Sequence, residues 1–190
     1  MPEGQNAQKP WWGQPNEDFR NAVAWAERSA KDDDPDGYLA HNKLSPGNAL
    51  GRYQLTTIAL LQNTWKIGDT WTDKARAFGV SSDEDFKNNP AAQEAAMADV
   101  MRDNERQADS WELFKHAGQT YGGVSGKPVT ISEAGLAAAA HREGPKATHE
   151  YLQRRVNGQT SDNARTAAKD RNIETRLRNF TDVPYRRGHW

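Results

Sequence analysis

The turn-rich stretch 45-SPGNALGRYQ-54 governs the interpretation of the chain, because it leads directly into the apolar run Leu55 to Asn63. That run has helical spacing and predicts a helix. Within the stretch, Gly51 allows another part of the backbone to approach closely. Tyr53 offers an aromatic ring and Gln54 an amide that both donates and accepts, which suits sugar hydroxyl and acetamide groups. The stretch therefore predicts a polar binding surface at the start of a helix.

The segment before it predicts a helix that ends near a carboxylate. Pro15 to Ala30 has acidic residues in its first turn and apolar residues at helical spacing, so we expect a helix that runs to about Ala30. Glu27 falls at the edge of the apolar stripe and in the last turn, where the helix dipole and apolar neighbours favour a protonated carboxyl. Such a group can act as a general acid. Most helix-end glutamates are solvated charges, so this assignment depends on the neighbouring motifs.

An Asp-, Pro- and Gly-rich segment, Lys31 to Gly51, separates these two elements and predicts a long loop or a short hairpin. Its residues Asp34 and Asp36 are the candidates for a second catalytic carboxylate. Asp32 to Gly37 also has the spacing that opens a calcium loop, but Lys43 stands at the twelfth position, where calcium requires a glutamate. A solvated acidic turn is the favoured interpretation, and we expect no metal and no cofactor.

The rest of the chain predicts further helices and no clear strand. Asn89-Pro90 opens a long helix, and Thr130 to Glu133 has the spacing of a capping box ahead of an Ala-rich helix, Ala134 to His141. Later helices are expected over Ala147 to Val156 and around Ile173 to Phe180. The expected fold class is mostly α. The expected organisation is a flexible segment at 1–15, one catalytic domain at 16–182 and a C-terminal tail at 183–190.

Composition excludes several classes of protein. The mean hydropathy is -1.00 and 35% of residues are hydrophobic, so no stretch approaches the length of a membrane span. The absence of Cys excludes disulfides, thiol nucleophiles and cysteine-based zinc sites. A net charge of -1 gives no overall attraction to nucleic acid. Basic residues are in excess from Arg165 to Trp190, where we expect a solvated helix face with a loose end rather than a polyanion-binding patch.

The stretch at 45–54 is similar to the Ser-x-x-Gly-Ala-x-Gly-Leu-Met-Gln signature of soluble lytic transglycosylases. The matching residues are Ser45, Ala49, Gly51 and Gln54, and the departures are Asn48, Arg52 and Tyr53. The Gly-Arg-Tyr-Gln run at 51–54 resembles more closely the corresponding segment of phage-type muramidases. Further along, Ala137 to Pro145 resembles the Ala-Ala-Tyr-Asn-Ala-Gly-Pro segment of the same superfamily, with His141 in place of the Tyr and Arg142 in place of the Asn. Glu27 and Ser45 are further apart than in the transglycosylases, and the extra residues could form a hairpin wall.

The resemblance implies a lysozyme-like fold, with several helices around a glycan-binding cleft and at most a small β-hairpin. It implies that Glu27 is the catalytic acid. The substrate-binding residues it implies are Ser45, Gly51, Tyr53, Gln54, Tyr121, His141 and Arg142. For His141, a plain helix-end histidine is the favoured interpretation, and a catalytic or substrate-orienting residue is the alternative.

The implied activity is that of a muramidase, which cleaves the β-1,4 bond between MurNAc and GlcNAc in peptidoglycan. Two alternatives stay open: a lytic transglycosylase that yields 1,6-anhydro products, and a non-catalytic glycan-binding component of a virion or secretion machine. The expected partners are peptidoglycan glycan strands, with a cognate immunity protein or the delivery apparatus as further partners, and no nucleic acid. The start of the chain has no secretory signal, so we expect delivery to the cell wall by lysis, a phage particle or a secretion system.

Overall fold

Helices dominate the computed structural model, which describes residues 9–43, 48–161 and 163–190. The prediction of a mostly helical chain is confirmed. The helices of the described residues are α1 (Glu17–Ala26), α2 (Thr57–Gln62), α3 (Asp73–Arg76), α4 (Asp83–Lys87), α5 (Pro90–Ser110), α6 (Glu133–Glu143), α7 (Pro145–Val156) and α8 (Ala164–Asn179), with a 3₁₀ helix at Leu113–His116. None of these helices is both long and apolar enough to cross a membrane.

Small antiparallel sheets connect the helices. The first has the order β1 (His41–Asn42), β2 (Ala49–Leu50), β3 (Leu55–Thr56), and two hairpins follow, β4 (Lys66–Ile67) with β5 (Thr70–Trp71) and β6 (Thr120–Gly122) with β7 (Pro128–Thr130). The expectation of at most one small hairpin was therefore wrong. Strands of two or three residues are too short for the alternation of apolar and polar residues by which a strand is recognised in sequence.

The chain forms two compact units, and the boundary between them falls within α5. The first unit ends at Ala98 and the second begins at Asp99. The predicted limits of a catalytic domain, 16–182, stay a prediction.

In the first unit, α1 ends earlier than expected because of one left-handed residue. Arg28 has a φ of 58°, and the backbone N–H groups of Ser29 and Ala30 both donate to the carbonyl of Ala24. This pattern closes the last turn of a helix, and glycine usually occupies the left-handed position. The helix therefore stops at Ala26 instead of continuing to Ala30, and Glu27 is its C-terminal capping residue.

Other helix boundaries differ from the predictions because of local capping. Residues 55 and 56 pair with β2, so α2 begins only at Thr57. The side chain of Thr56 caps this helix by accepting from the N–H of Ala59. The cap of α6 is Ser132, which accepts from the N–H of Gly135, and not Thr130 as the capping-box spacing suggested. At α8, Asn163 caps the first turn, so this helix starts well before Ile173.

Aromatic side chains form the apolar core of the first unit. Trp65 is fully buried, and its ring centroid lies 5.3 Å from that of Phe78 and 6.2 Å from that of Phe86. Trp71 stacks on Phe86 at 5.0 Å. These contacts join the β4–β5 hairpin to α4.

A buried carboxylate near the start of α5 forms the polar core of the same unit. Glu94 is 4% exposed and pairs with the Nη1 of Arg20 at 2.8 Å. Its Oε1 accepts from the hydroxyl of Tyr38 at 2.7 Å and from that of Tyr53 at 2.6 Å. Burial and then the charge of Glu94 raise the pKa of both tyrosines, so both hydroxyls stay protonated and donate. One carboxylate thus ties together α1, the loop after it and the turn at 51–54.

The preceding residue, Gln93, holds the same segments through their backbones. Its Oε1 accepts from the N–H of Arg52 at 2.8 Å. Its Nε2 lies at 3.0 Å from the carbonyl oxygen of Tyr38 and at 2.9 and 3.0 Å from those of Phe86 and Lys87. One side-chain amide thus binds buried backbone groups of the loop after α1, of α4 and of the 51–54 turn.

The second unit has a continuous apolar core. It is formed mainly by α6, α7, α8 and the 3₁₀ helix, and its buried residues are Ala108, Leu113, Phe114, Val129, Ile131, Leu136, Ala139, Tyr151, Leu152, Ile173 and Leu177. Apart from Leu136, the buried residues of α6 are small, namely Ala134, Gly135 and Ala137 to Ala140.

The C-terminal residues of the second unit are held by a buried carboxylate. Glu105 accepts from the hydroxyl of Tyr185, from the N–H of Gly188 at 2.9 Å and from the Nε1 of Trp190 at 2.8 Å. The expected loose end is therefore wrong, because three donors from 183–190 converge on one acceptor.

We expect Glu94→Gln to destabilise the first unit strongly. The substitution removes the negative charge that pairs with the buried guanidinium of Arg20, which costs about 3–5 kcal/mol. Chemical denaturation of purified protein measures this loss. The matched control is Glu84→Gln, which removes an exposed carboxylate paired with Lys87 and should change the free energy of unfolding little. Equal effects of the two substitutions would contradict the role given to Glu94.

Gly51→Ala tests the contact with Gln93 separately. Gly51 has a φ of 70°, and a Cβ added there would lie 2.0 Å from the Oε1 of Gln93. Gly68→Ala is the control, because Gly68 also has a positive φ but has nothing within 4 Å of the added Cβ. In both variants the alanine must adopt a left-handed backbone conformation, which lowers the free energy of unfolding by roughly 1–2 kcal/mol. Gly51→Ala should lose about 1–3 kcal/mol more in denaturant melts, because Gln93 must release buried partners. Equal losses would show that Gln93 moves at no cost.

Candidate functional site

The end of α1 presents Glu27 and is attached to the turn that follows β2. Glu27 is half-buried, and its neighbour Arg28 has the left-handed conformation described above. The hydroxyl of Ser29 lies 2.9 Å from the carbonyl oxygen of Ala24 and also within hydrogen-bond distance of the carbonyl oxygen of Arg52. The residues just after Glu27 are therefore fixed to the 51–54 turn.

Within the 51–54 turn, Gln54 is a residue other than glycine that has the left-handed conformation, as Arg28 does after α1. Its φ is 47°, and both its backbone N–H, at 3.1 Å, and its side-chain Nε2, at 2.9 Å, donate to the carbonyl of Gly51. The N–H of Gly51 in turn donates to the carbonyl of Ala40 at 2.7 Å. Left-handed conformations at residues other than glycine persist where the surroundings fix them, and they are frequent at functional sites. Gln54 is half-buried, so part of its side chain faces solvent.

Arg52 links three segments of the first unit. It is fully buried, its Nη1 donates to the carbonyls of Pro35, at 3.0 Å, and Asp36, and its Nη2 donates to the side chain of Asn21 at 2.9 Å. The guanidinium also lies over the rings of Trp11, Tyr38 and Tyr53. A planar cation with donors on several sides can hold an irregular loop in this way. Arg52 therefore fixes the acidic loop against α1.

The two aspartates of that loop have different surroundings. Asp34 accepts from the N–H of Gly37 at 3.0 Å, which stabilises a turn. Asp36 pairs through Oδ2 with Lys9 at 2.9 Å, and its buried Oδ1 has no hydrogen-bond partner within the described part of the chain. Asp36 is therefore the aspartate of this loop with a carboxylate oxygen that no described group binds.

The loop packs directly on the residues that follow Glu27. A Cβ added to Gly37 would lie 2.5 Å from the carbonyl carbon and oxygen of Ser29. Gly37 follows Asp36, and Ser29 is two positions beyond Glu27. The end of α1, the acidic loop and the 51–54 turn thus form one assembly.

Two expected substrate contacts belong to the interior instead. Tyr53 is 1% exposed and its hydroxyl is bound to Glu94, so it has no surface to offer a sugar. Gly51 is buried against Gln93, which explains a glycine at this position without any ligand. The third residue of this motif, Ser45, lies outside the described residues. A sequence motif does not reveal whether an aromatic residue packs inward or outward, and this is the reason for the error.

Two aspartates of the acidic loop are engaged within the protein. Across residues 9–43, 48–161 and 163–190, no group of three or more His, Asp or Glu side chains could hold a metal ion. In the loop, Asp34 is bound to a backbone N–H and Asp36 to a lysine, while Asp32 and Asp33 are exposed. The acidic segment behaves as a turn.

In the second unit, the last turn of α6 carries two of the expected binding residues. His141 is half-buried and Arg142 is exposed. The Nε of Arg142 lies 4.0 Å from Glu143, which itself accepts from Asn172 at 2.7 Å. Arg142 thus presents a guanidinium to solvent at the end of a rigid helix.

The sequence predicted only one member of a group of ring side chains in this unit. The hydroxyl of Tyr121 lies 2.8 Å from the Nδ1 of His116, and the ring of Trp111 lies 4.8 Å from that of His149. Trp111 is 38% exposed. Burial, followed by the charges of Lys115 and His149, lowers the pKa of His116. Only Tyr121 was predicted. Trp111, a bulky apolar residue just after a long polar helix, was the signal that could have indicated the others.

No protein-family model, no curated protein and no solved structure matches this chain.

Proposed function

We propose that this chain is a muramidase that cleaves the β-1,4 bond between MurNAc and GlcNAc in peptidoglycan, with Glu27 as the general acid. One observation carries the proposal. A half-buried carboxylate stands at the end of a short helix, and the next residues are fixed both to the Gln54 turn and to the Asp36 loop. General acid catalysis needs a carboxyl held rigidly within hydrogen-bond reach of the leaving oxygen.

In the proposed mechanism, Glu27 gives its proton to the glycosidic oxygen while the bond between that oxygen and the anomeric carbon breaks. The positive charge that develops on the sugar ring requires a second carboxylate, either as nucleophile or to activate water. Asp36 is better suited to this role than Asp34, because Asp34 is engaged in the turn at Gly37. The water then adds at the anomeric carbon and yields a reducing MurNAc end.

Ring side chains of the second unit, the exposed Trp111 and the partly buried Tyr121, support a glycan as the ligand. Trp111 and Tyr121 have flat apolar faces with polar groups at the edge, a combination that suits the faces and hydroxyls of a sugar. Arg142 and His141 add polar groups at the end of α6. These residues are proposed as contacts to the glycan strand.

A different outcome of the same bond cleavage is favoured by the ion pair between Lys9 and Asp36. If that pair persists with substrate, Glu27 acts without a second carboxylate, and the 6-hydroxyl of MurNAc attacks the anomeric carbon. The product is then a 1,6-anhydro sugar, as in lytic transglycosylases.

Glu27→Gln should abolish cleavage and leave the fold intact. Removing a general acid lowers the rate by roughly a hundredfold to ten-thousandfold. Release of soluble muropeptides from purified cell walls measures the rate, and thermal melting checks the fold. Asp18→Asn is the control, because it neutralises an exposed carboxylate on the same helix and should retain full activity.

The products of the unmodified protein separate the three candidate functions. Mass spectrometry should find muropeptides that end in reducing MurNAc. Anhydro-muropeptides as the main product would replace the muramidase with a transglycosylase. Retention on cell walls without any soluble product would identify a non-catalytic glycan-binding component, and undiminished lysis by Glu27→Gln would remove Glu27 from the mechanism.

A further inference from the structure

A cavity in the second unit lies apart from all residues discussed above as substrate contacts. Its volume is about 310 Å³, and it is lined by the β6–β7 turn, the end of α7 and the start of α8. Apolar groups are contributed by Val124 and Ala167. The polar residues of its wall are Ser125, Arg155, Thr160, Ser161, Asp170 and Arg171. A cavity of this size can hold a small organic molecule.

The wall contains a buried cation whose donors are only partly used. Arg155 is 8% exposed, and its Nη2 donates to the carbonyl of Gln159. Its buried Nε has no acceptor among residues 9–43, 48–161 and 163–190. A buried donor without an acceptor is costly, and a charged one is more so. Arg155 therefore has a buried donor that an anionic ligand could accept from.

The acidic residues nearby are already bound to other donors. Asp170 accepts two hydrogen bonds from Arg154, one of them at 3.0 Å from Nε. Glu174 accepts from the N–H of Val124 at 2.6 Å and pairs with Arg178 at 2.7 Å. With these carboxylates engaged, Arg155 and the exposed Arg171 leave the cavity with excess positive charge.

We propose that this cavity binds a small organic molecule through a carboxylate, which the guanidinium of Arg155 recognises. An arginine matches the planar geometry of a carboxylate and can donate two parallel hydrogen bonds to it. The hydroxyls of Ser125 and Thr160 supply further donors, and Val124 and Ala167 contact the carbon part of the molecule. A purely inorganic anion would leave these apolar groups unused.

Benzoate and benzamide test the proposal, because they have nearly the same shape and differ in charge. The readout is the Nε–Hε resonance of Arg155 in ¹⁵N-labelled full-length protein, assigned by its disappearance in Arg155→Gln. Benzoate should shift this resonance and saturate with a dissociation constant of roughly a millimolar or less. Benzamide should leave it unchanged. Equal shifts with both compounds, or a response to inorganic phosphate but not to benzoate, would overturn the proposal.

Two variants complete the test. Arg155→Gln should remove benzoate binding measured by calorimetry, while Arg106→Gln, which removes an exposed arginine elsewhere on the same unit, should not. Ala167→Leu fills the cavity without touching the charge of Arg155 and should also remove binding, which keeps the test valid if Arg155→Gln does not fold. Unchanged binding in Ala167→Leu or in folded Arg155→Gln would refute the site.

Discussion

The first unit depends on two adjacent polar side chains buried near the start of α5, Gln93 and Glu94. Glu94 neutralises Arg20 and accepts from two tyrosine hydroxyls, while Gln93 pairs with backbone groups of the loop after α1 and of the 51–54 turn. Burying such groups is tolerable only when nearly every one has a partner. The two residues therefore hold the irregular segments between α1 and α2 in one arrangement, even though those segments have little regular secondary structure.

The contacts with Gln93 and Glu94 give the Gly-Arg-Tyr-Gln run at 51–54 a structural role. Three of its four residues face inward: the glycine packs on Gln93, the arginine binds the acidic loop and the tyrosine binds Glu94. Only Gln54 keeps a partly exposed side chain. The run thus acts mainly as a support that fixes Glu27 and Asp36 in position. A catalytic site benefits when the groups that position it are themselves rigid.

Sequence alone indicated the helical class and the long helix from Pro90, because helical periodicity and local spacing carry that information. It did not indicate the short strands, because two or three residues are too few to show the alternation by which a strand is recognised. The end of α1 was placed too late, since a left-handed arginine took the position that glycine usually marks. The inward orientation of Tyr53 required Glu94, which lies 41 residues away in the chain, and no local pattern connects the two. The C-terminal segment was misjudged for the same reason, because its partner Glu105 lies 83 residues before Gly188 in the chain.

The central claim is that Glu27 meets the glycosidic oxygen of a peptidoglycan strand. A crystal structure of the Glu27→Gln chain with a bound muropeptide tests it most directly, because the variant preserves the shape of the side chain and prevents turnover. The account predicts a glycosidic oxygen about 3 Å from the side chain at position 27, the distance at which a general acid transfers its proton. A muropeptide bound elsewhere, with position 27 open to solvent, would contradict it.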